Sequence, residues 1–356
     1  MKAIIPFKLK LIPIKKLALI NFEKDPDDVY RGLELQYLDG EPYGIGWRVI
    51  AYRYDNYVDV YDDYALNTIE NEKFDVAENG LANYAKTEIR EVRFEKNEYG
   101  AHICFSFKDM FNRNISVQIH ENTRRHSKAM NLLAPIGAGS KKPTSFPLFF
   151  LYEFDFIRKH KTQISIDIDG NKRKVDNFPF PLTKELQWRY YTRYSMDCQM
   201  VELAKSEDRI LTLVELDEDY SYTEGQTTYY FDNNKGEVSL KSIEVHDKKH
   251  KLEMHFDLPL PIQKKNDEKV KGKFFVTTDS TMGIMEGIYH WEQLNGTFII
   301  NLSLDKGWTS VPNSVITKMI LGPKSIFCTW PKSYNYMQEI QKDSLRSKSE
   351  WINSLV

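Results

Sequence analysis

The sequence predicts an all-β protein, and three observations carry that prediction. Apolar and polar residues alternate with period two along most of the chain, the mark of strands with one face on a core. Short turn signals such as Asp-Gly and Asn-Gly separate these runs at regular intervals. Aromatic residues fill 13% of the 356 positions, led by 21 Tyr and 20 Phe, types that strands favour.

Taken in order, Phe7-Lys8-Leu9-Lys10-Leu11 opens the chain as a strand. Lys8, Lys10, Lys15 and Lys16 cut the apolar start into runs too short for a signal-peptide core or a membrane span. Gly46 to Tyr54, the turn Asp55-Asn56, and Tyr57 to Tyr61 make a hairpin. Ile89 to Phe94 and His102 to Phe107 flank Asn97-Glu98-Tyr99-Gly100 as a second, and Asn114 to His120 alternates cleanly beside them. Ile164 to Ile168, Asp169-Gly170 and Lys172 to Val175 make a third. The second half continues with runs at 227–231, 237–245, 252–256, 273–277, 284–291 and 297–304. Their turns fall at Asp232 to Gly236, Lys248-Lys249, Asn266-Asp267, Asp279-Ser280 and Asn295-Gly296. Met337, Ile340, Leu345, Trp351 and Ile352 give a helical spacing that predicts a C-terminal helix over 334–355, capped by Ser333. A second helix is expected over 74–86.

Asn177-Phe178-Pro179-Phe180-Pro181 cannot pair in a central strand and sets the expected boundary between two β domains, 1–180 and 181–356. A meander of this length closes into a barrel or folds into a sandwich, because open edges invite aggregation. The expected architecture is therefore two antiparallel meander domains, similar to calycin or lipocalin-like barrels or else sandwiches, with the terminal helix on the second.

Forty-nine Lys and Arg against 51 Asp and Glu leave a formal charge of −2, which gives no drive toward nucleic acid or an anionic membrane. Cys104, Cys198 and Cys328 are too far apart and too few for a disulfide framework, so a soluble, cytoplasmic protein is expected. No glycine-rich nucleotide loop, HExxH, GxSxG elbow, Cys/His zinc spacing or calcium loop is present, and no cofactor or metal is expected.

Several constellations invite chemistry. Pro135 to Pro143, with two glycines and Lys141-Lys142, suits either an anion cradle or a plain loop, and Arg124-Arg125-His126-Ser127-Lys128 adds charge upstream. Glu286 and His290 share a strand face with Ile284 and Ile288; inside a cavity they would act as an acid/base pair, whereas on the outside Tyr289 and Trp291 line the core. Glu153 and Asp155 share a face by alternation. His102, Cys104 and Ser106 do too, but i,i+2 neighbours stand too far apart for a Cys/His nucleophile. Trp188, Arg189, Tyr190 and Arg193, together with Trp47 and Arg48, offer rings for walls and guanidinium groups for anchors. The expected function is binding of a small, largely apolar ligand in an aromatic-lined β-barrel cavity through these six residues. The alternative is a cofactor-free isomerase, hydratase or glycoside-active enzyme using Glu286 and His290. Neither nucleic acid nor an integral membrane segment enters either reading.

Overall fold

The computed structural model describes residues 1–68, 75–76, 79–124, 128–136, 143–178, 188–206, 208–234, 236–262, 268–322, 327 and 330–354. Strands make up 67% of the structure and helix 4%, as the period-two patterning leads one to expect. They form two compact units, one built from Pro13–Met130 and Leu151–Cys198, the other from Met1–Ile12, Asn131–Phe150 and Gln199–Val356. The sequence reading cuts the chain once at 180/181; the units instead interleave. Two long strands, Ser145–Arg158 and Arg189–Ala204, each contribute one end to either unit.

The first unit is a sandwich of two sheets. In one sheet residues 193–195 pair with Ile14–Asn21, followed by Tyr30–Gly40, Gly44–Arg53, Tyr57–Asp63 and Asn79–Thr87. All these pairs are antiparallel except the last, which is parallel. The other sheet is antiparallel, in the order Asn171–Arg173, Thr162–Ile168, Asn114–Glu121, Gly100–Lys108, Arg90–Asn97. Alternation sends Ile103, Phe105, Phe107, Val117 and Ile119 inward, where they meet Leu33, Leu35, Val49 and Ala51 of the first sheet in one core. It sends His102, Cys104 and Ser106 outward on the 100–108 strand. Register then places His102 opposite His120, and Cys104 between Gln118 on one neighbour and Arg93 on the other.

The second unit is built on a ten-stranded antiparallel sheet running from Arg209–Ile210 through Arg346–Asn353, Tyr334–Gln341, Thr297–Thr309, Ile284–Leu294, Lys269–Thr277, Lys251–Pro261, Glu237–His246 and Thr227–Asn234 to Ser221–Glu224. The sheet does not close into a barrel. Its apolar face packs Met254, Phe274, Val276, Met285 and Trp351 around Leu9, Phe146 and Leu203, leaving about 20 Å³ between them. That is room for a single water at most.

The expected terminal helix is absent. Tyr334–Gln341 and Arg346–Asn353 are paired strands whose burial alternates residue by residue, with Tyr334, Tyr336, Ile340 and Trp351 inside and Met337 and Ile352 outside. Pairing with the 297–309 strand overrides the coincidental i,i+3 spacing of Met337 and Ile340. Ser333 ends a short 3-10 turn, Trp330–Ser333, instead of capping a helix. Nor is 79–86 helical, being part of the strand beside Tyr57–Asp63. Among the described residues an α-helix does form at Val315–Leu321; it is seven residues long, too short to announce itself by periodicity, and Ser314 caps it by accepting from the Thr317 amide at 3.1 Å. Residues 137–142, 125–127, 179–181, Asn266-Asp267 and Cys328, which the sequence reading singles out, lie outside the described residues.

Candidate functional site

Glu286 and His290 do not make a tuned pair. Met285, Tyr289 and Trp291 take the buried face of their strand, and His290 is exposed on the other. The Lys306 and Lys273 ammonium groups stand 2.7 and 3.1 Å from Glu286 Oε1 and hold its carboxyl below the usual range. Held in its charged form by two ammonium groups, the Glu286 carboxyl lacks the raised pKa that a general acid needs.

The aromatic and guanidinium set divides. Arg48 is buried and bidentate on Asp62 at 2.6 and 2.9 Å, and stacks 5.0 Å from the Tyr43 ring. Arg189 is buried too, donating to Asp155 Oδ1 at 2.5 Å and to the Phe156 carbonyl at 2.9 Å. Both guanidinium groups are spent on structural ion pairs. Arg193 lies 4.7 Å over the Tyr191 ring, and Trp47 packs between Tyr37 and Phe94 at the core's edge. Glu153 has a left-handed φ of 52°, which breaks the alternation: Glu153 points to solvent while Asp155 turns inward to Arg189. The two carboxylates therefore never face one ligand.

Trp188 and Tyr190 remain, and both touch Lys159, a residue that lines a cleft. At one end of the five-stranded sheet an open space of about 690 Å³ is lined by Arg93, Tyr99, His102, His120, Glu121, Asn122, Lys159, Lys161, Thr162 and Gln163. Local geometry builds it from three pieces of chain. Lys161 takes a left-handed φ of 53° in the turn before Thr162 and receives the Asn122 amide on its carbonyl at 3.0 Å. The Thr123 amide donates to the Tyr99 carbonyl at 2.9 Å, tying the 97–100 turn to the same end. Lys159 donates its amide to the Trp188 carbonyl at 2.6 Å and sets its ammonium 5.4 Å over the Tyr190 ring. Gly100, at φ 124°, is required here, because the Glu121 side chain occupies the place of any Cβ.

The charges are lopsided. Glu121 is the one carboxylate in the lining, and both of its oxygens are taken. Oε2 accepts from the Ala101 amide at 2.8 Å and Arg158 Nη2 at 3.0 Å; Oε1 accepts from the Arg158 amide at 2.7 Å and Nε at 3.2 Å. Arg93 shares its charge with Glu95 at 2.8 Å, but Lys159 and Lys161 have no acidic partner among the described residues.

Along the cleft's edge runs a chain of polar groups whose proton positions can be read from one end. The Tyr99 backbone N–H donates to Asn97 Oδ1 at 2.8 Å, so Asn97 turns its amide nitrogen to His102 Nε2 at 3.3 Å. His102 must then carry its hydrogen on Nδ1 and donate to His120 Nδ1 at 3.2 Å. His120 in turn carries its hydrogen on Nε2, which faces Cys104 Sγ at 3.5 Å. Burial, then Arg93 and His120, lower the His102 pKa, and burial raises that of the Cys104 thiol. The sequence reading dismissed Cys104 because it weighed only His102, two residues away on the same strand. The contact is diagonal, to the partner strand, and would emerge by laying 102–106 antiparallel against 116–120.

Among the described residues no group of three His, Cys, Asp or Glu is placed to hold a metal, and no helix is long and apolar enough to cross a membrane. Comparison with known families, curated proteins and solved structures finds no match, so the cleft is to be read from its own geometry.

Proposed function

We propose that the sandwich unit is a binding module for a small anionic molecule, held by carboxylate or phosphate oxygens in the cleft lined by Lys159, Lys161, Arg93, His120 and Tyr99. One observation carries this reading: Lys159 and Lys161, without an acidic partner among the described residues, line an open space beside Arg93, and the lone carboxylate of its lining, Glu121, is already satisfied by Arg158. The volume falls within the few hundred to about a thousand cubic ångströms of ordinary small-molecule sites. What favours an anion over an apolar ligand is the contrast between this space and the roughly 20 Å³ left in the apolar interior of the ten-stranded unit. Tyr190, under the Lys159 ammonium, and the half-exposed Trp188 both touch that lining residue. The free thiols of Cys104 and Cys198 suit a reducing, cytoplasmic compartment.

Isothermal titration with citrate and with pyrophosphate at low ionic strength tests the proposal. Replacing Lys159 and Lys161 together by Ala should weaken binding at least tenfold, since a hydrogen bond to a charged group contributes about 1.5–3 kcal/mol. Anions that bind the double variant as well as the native chain, or bind neither, refute it.

A further inference from the structure

We propose that Cys104 is a nucleophile that takes an acyl group from an anionic ester or thioester seated in the cleft. The anionic part of that substrate rests on the reading of the cleft given above; the thiol chemistry does not. Starting from a backbone N–H whose direction is fixed, every hydrogen in the chain Asn97, His102, His120 points toward Sγ. A donor aimed at sulfur stabilises the thiolate, the reactive form, and so works against the burial that raises the pKa of the Cys104 thiol. Cys104 is partly exposed, and the two imidazoles leading to it line the cleft.

The neighbours of Cys104 across the sheet specify acyl chemistry. Arg93 and Gln118 stand directly opposite it on the two adjacent strands, at the ~5 Å spacing of cross-strand pairs. A tetrahedral oxyanion growing at Cys104 would lie between strands that carry Arg93, whose guanidinium also serves Glu95 at 2.8 Å, and Gln118. Among the described residues the other thiol, Cys198, is fully buried, so disulfide chemistry between these two fits less well.

The step balances without an outside reagent. Cys104 loses its thiol proton to solvent, and the thiolate pair forms a C–S bond as the carbonyl π pair moves onto oxygen. Collapse restores C=O and breaks the bond to the alcohol or thiol leaving group, which departs with that pair and takes a proton from solvent. Water then cleaves the acyl–Cys104 thioester to a carboxylic acid and the free thiol.

The test uses the full chain and p-nitrophenyl acetate, with nitrophenolate release followed against pH and the acetyl group located by peptide mass mapping. The native chain should carry acetyl on Cys104 and none on Cys198. His120→Phe should move the pH midpoint of Cys104 acylation upward by at least a unit, which slows labelling about tenfold at neutral pH. Asn97→Ala, which removes the start of the chain, should move the midpoint the same way. A merely structural role would not shift a titration midpoint. No acetyl on Cys104 in the native chain, or a midpoint unmoved in both variants, overturns the proposal. Citrate titration of the native chain and of Asn97→Ala separates the two readings. Citrate binding with an unmoved midpoint removes the nucleophile and keeps the anion site; a moved midpoint without citrate binding does the reverse.

Discussion

Replacing Glu121 by Ala tests the floor of the cleft, and its cost can be worked from four hydrogen bonds. Glu121 is fully buried and Arg158 nearly so; the carboxylate accepts from Arg158 Nε and Nη2 and from the amides of Ala101 and Arg158. Truncation strands a guanidinium and two backbone donors in a poorly hydrated place. Each orphaned donor costs about 1–3 kcal/mol, and breaking a buried ion pair from one side costs about 3–5 kcal/mol in all. The two figures overlap in what they count, so 3–5 kcal/mol is the expected loss. Urea unfolding followed by far-ultraviolet circular dichroism should show a lower midpoint for the sandwich unit at an unchanged slope. Glu121→Ala combined with Arg158→Met, which removes the stranded charge, should recover about half of that loss. A single variant destabilised by less than about 1 kcal/mol would refute the reasoning, because the pair would then be worth no more than a surface bridge.

Three further expectations follow from the same geometry. Gly100→Ala should displace the Glu121 side chain and strain a φ of 124°, so it should lower the unfolding midpoint and alter citrate binding together, whereas Gly170→Ala, with open space around it, should leave citrate binding untouched. The His102 pKa is lowered in the folded chain, so the unfolded chain binds more protons below the ordinary histidine value; stability present above about pH 6.5 is lost as pH falls through that window. His102→Gln should flatten this part of a stability-versus-pH curve, and a curve of unchanged slope would count against it. Glu286→Gln should leave acylation and citrate binding intact at neutral pH, and because its folded pKa is depressed, any native advantage in stability should vanish as pH falls below the ordinary glutamate range. A loss of either activity in Glu286→Gln would return that residue to the site.

The strands and hairpins around 46–61, 89–107 and 164–175 were legible because alternation and turn chemistry are local properties. The 334–353 hairpin was not, since Met337 and Ile340 lie at a helical spacing by chance and only pairing with 297–309 decides the matter. Arg48 and Arg189 read as ligand anchors because a guanidinium next to an aromatic ring looks the same in sequence whether or not a carboxylate waits across the sheet; Asp62 and Asp155 do. Glu153 and Asp155 were misjudged for a backbone reason, a left-handed residue inside a strand, which alternation cannot foresee. Of the cleft's lining the sequence singles out His102 alone, as a member of the outward face it shares with Cys104 and Ser106. The lining comes from Arg93, Tyr99, His120 and Lys159 to Gln163, separate stretches that each look like ordinary polar surface until register joins them.

The interleaving of the two units has a consequence for how the chain leaves the ribosome. The sandwich unit holds all of its residues once Cys198 has emerged and can begin folding during synthesis. The other unit must keep its first twelve residues waiting: the Leu9 carbonyl accepts from Thr227 Oγ1 at 3.1 Å and the Pro6 carbonyl from Gln338 Nε2 at 2.5 Å. At the usual pace of about 5–20 residues per second, the Leu9–Ile12 strand waits many seconds for its pairing partner, residues 200–203, and longer still for the last hairpin. Lys8 and Lys10, spaced along that apolar strand, carry the charge that discourages it from pairing with another nascent copy meanwhile.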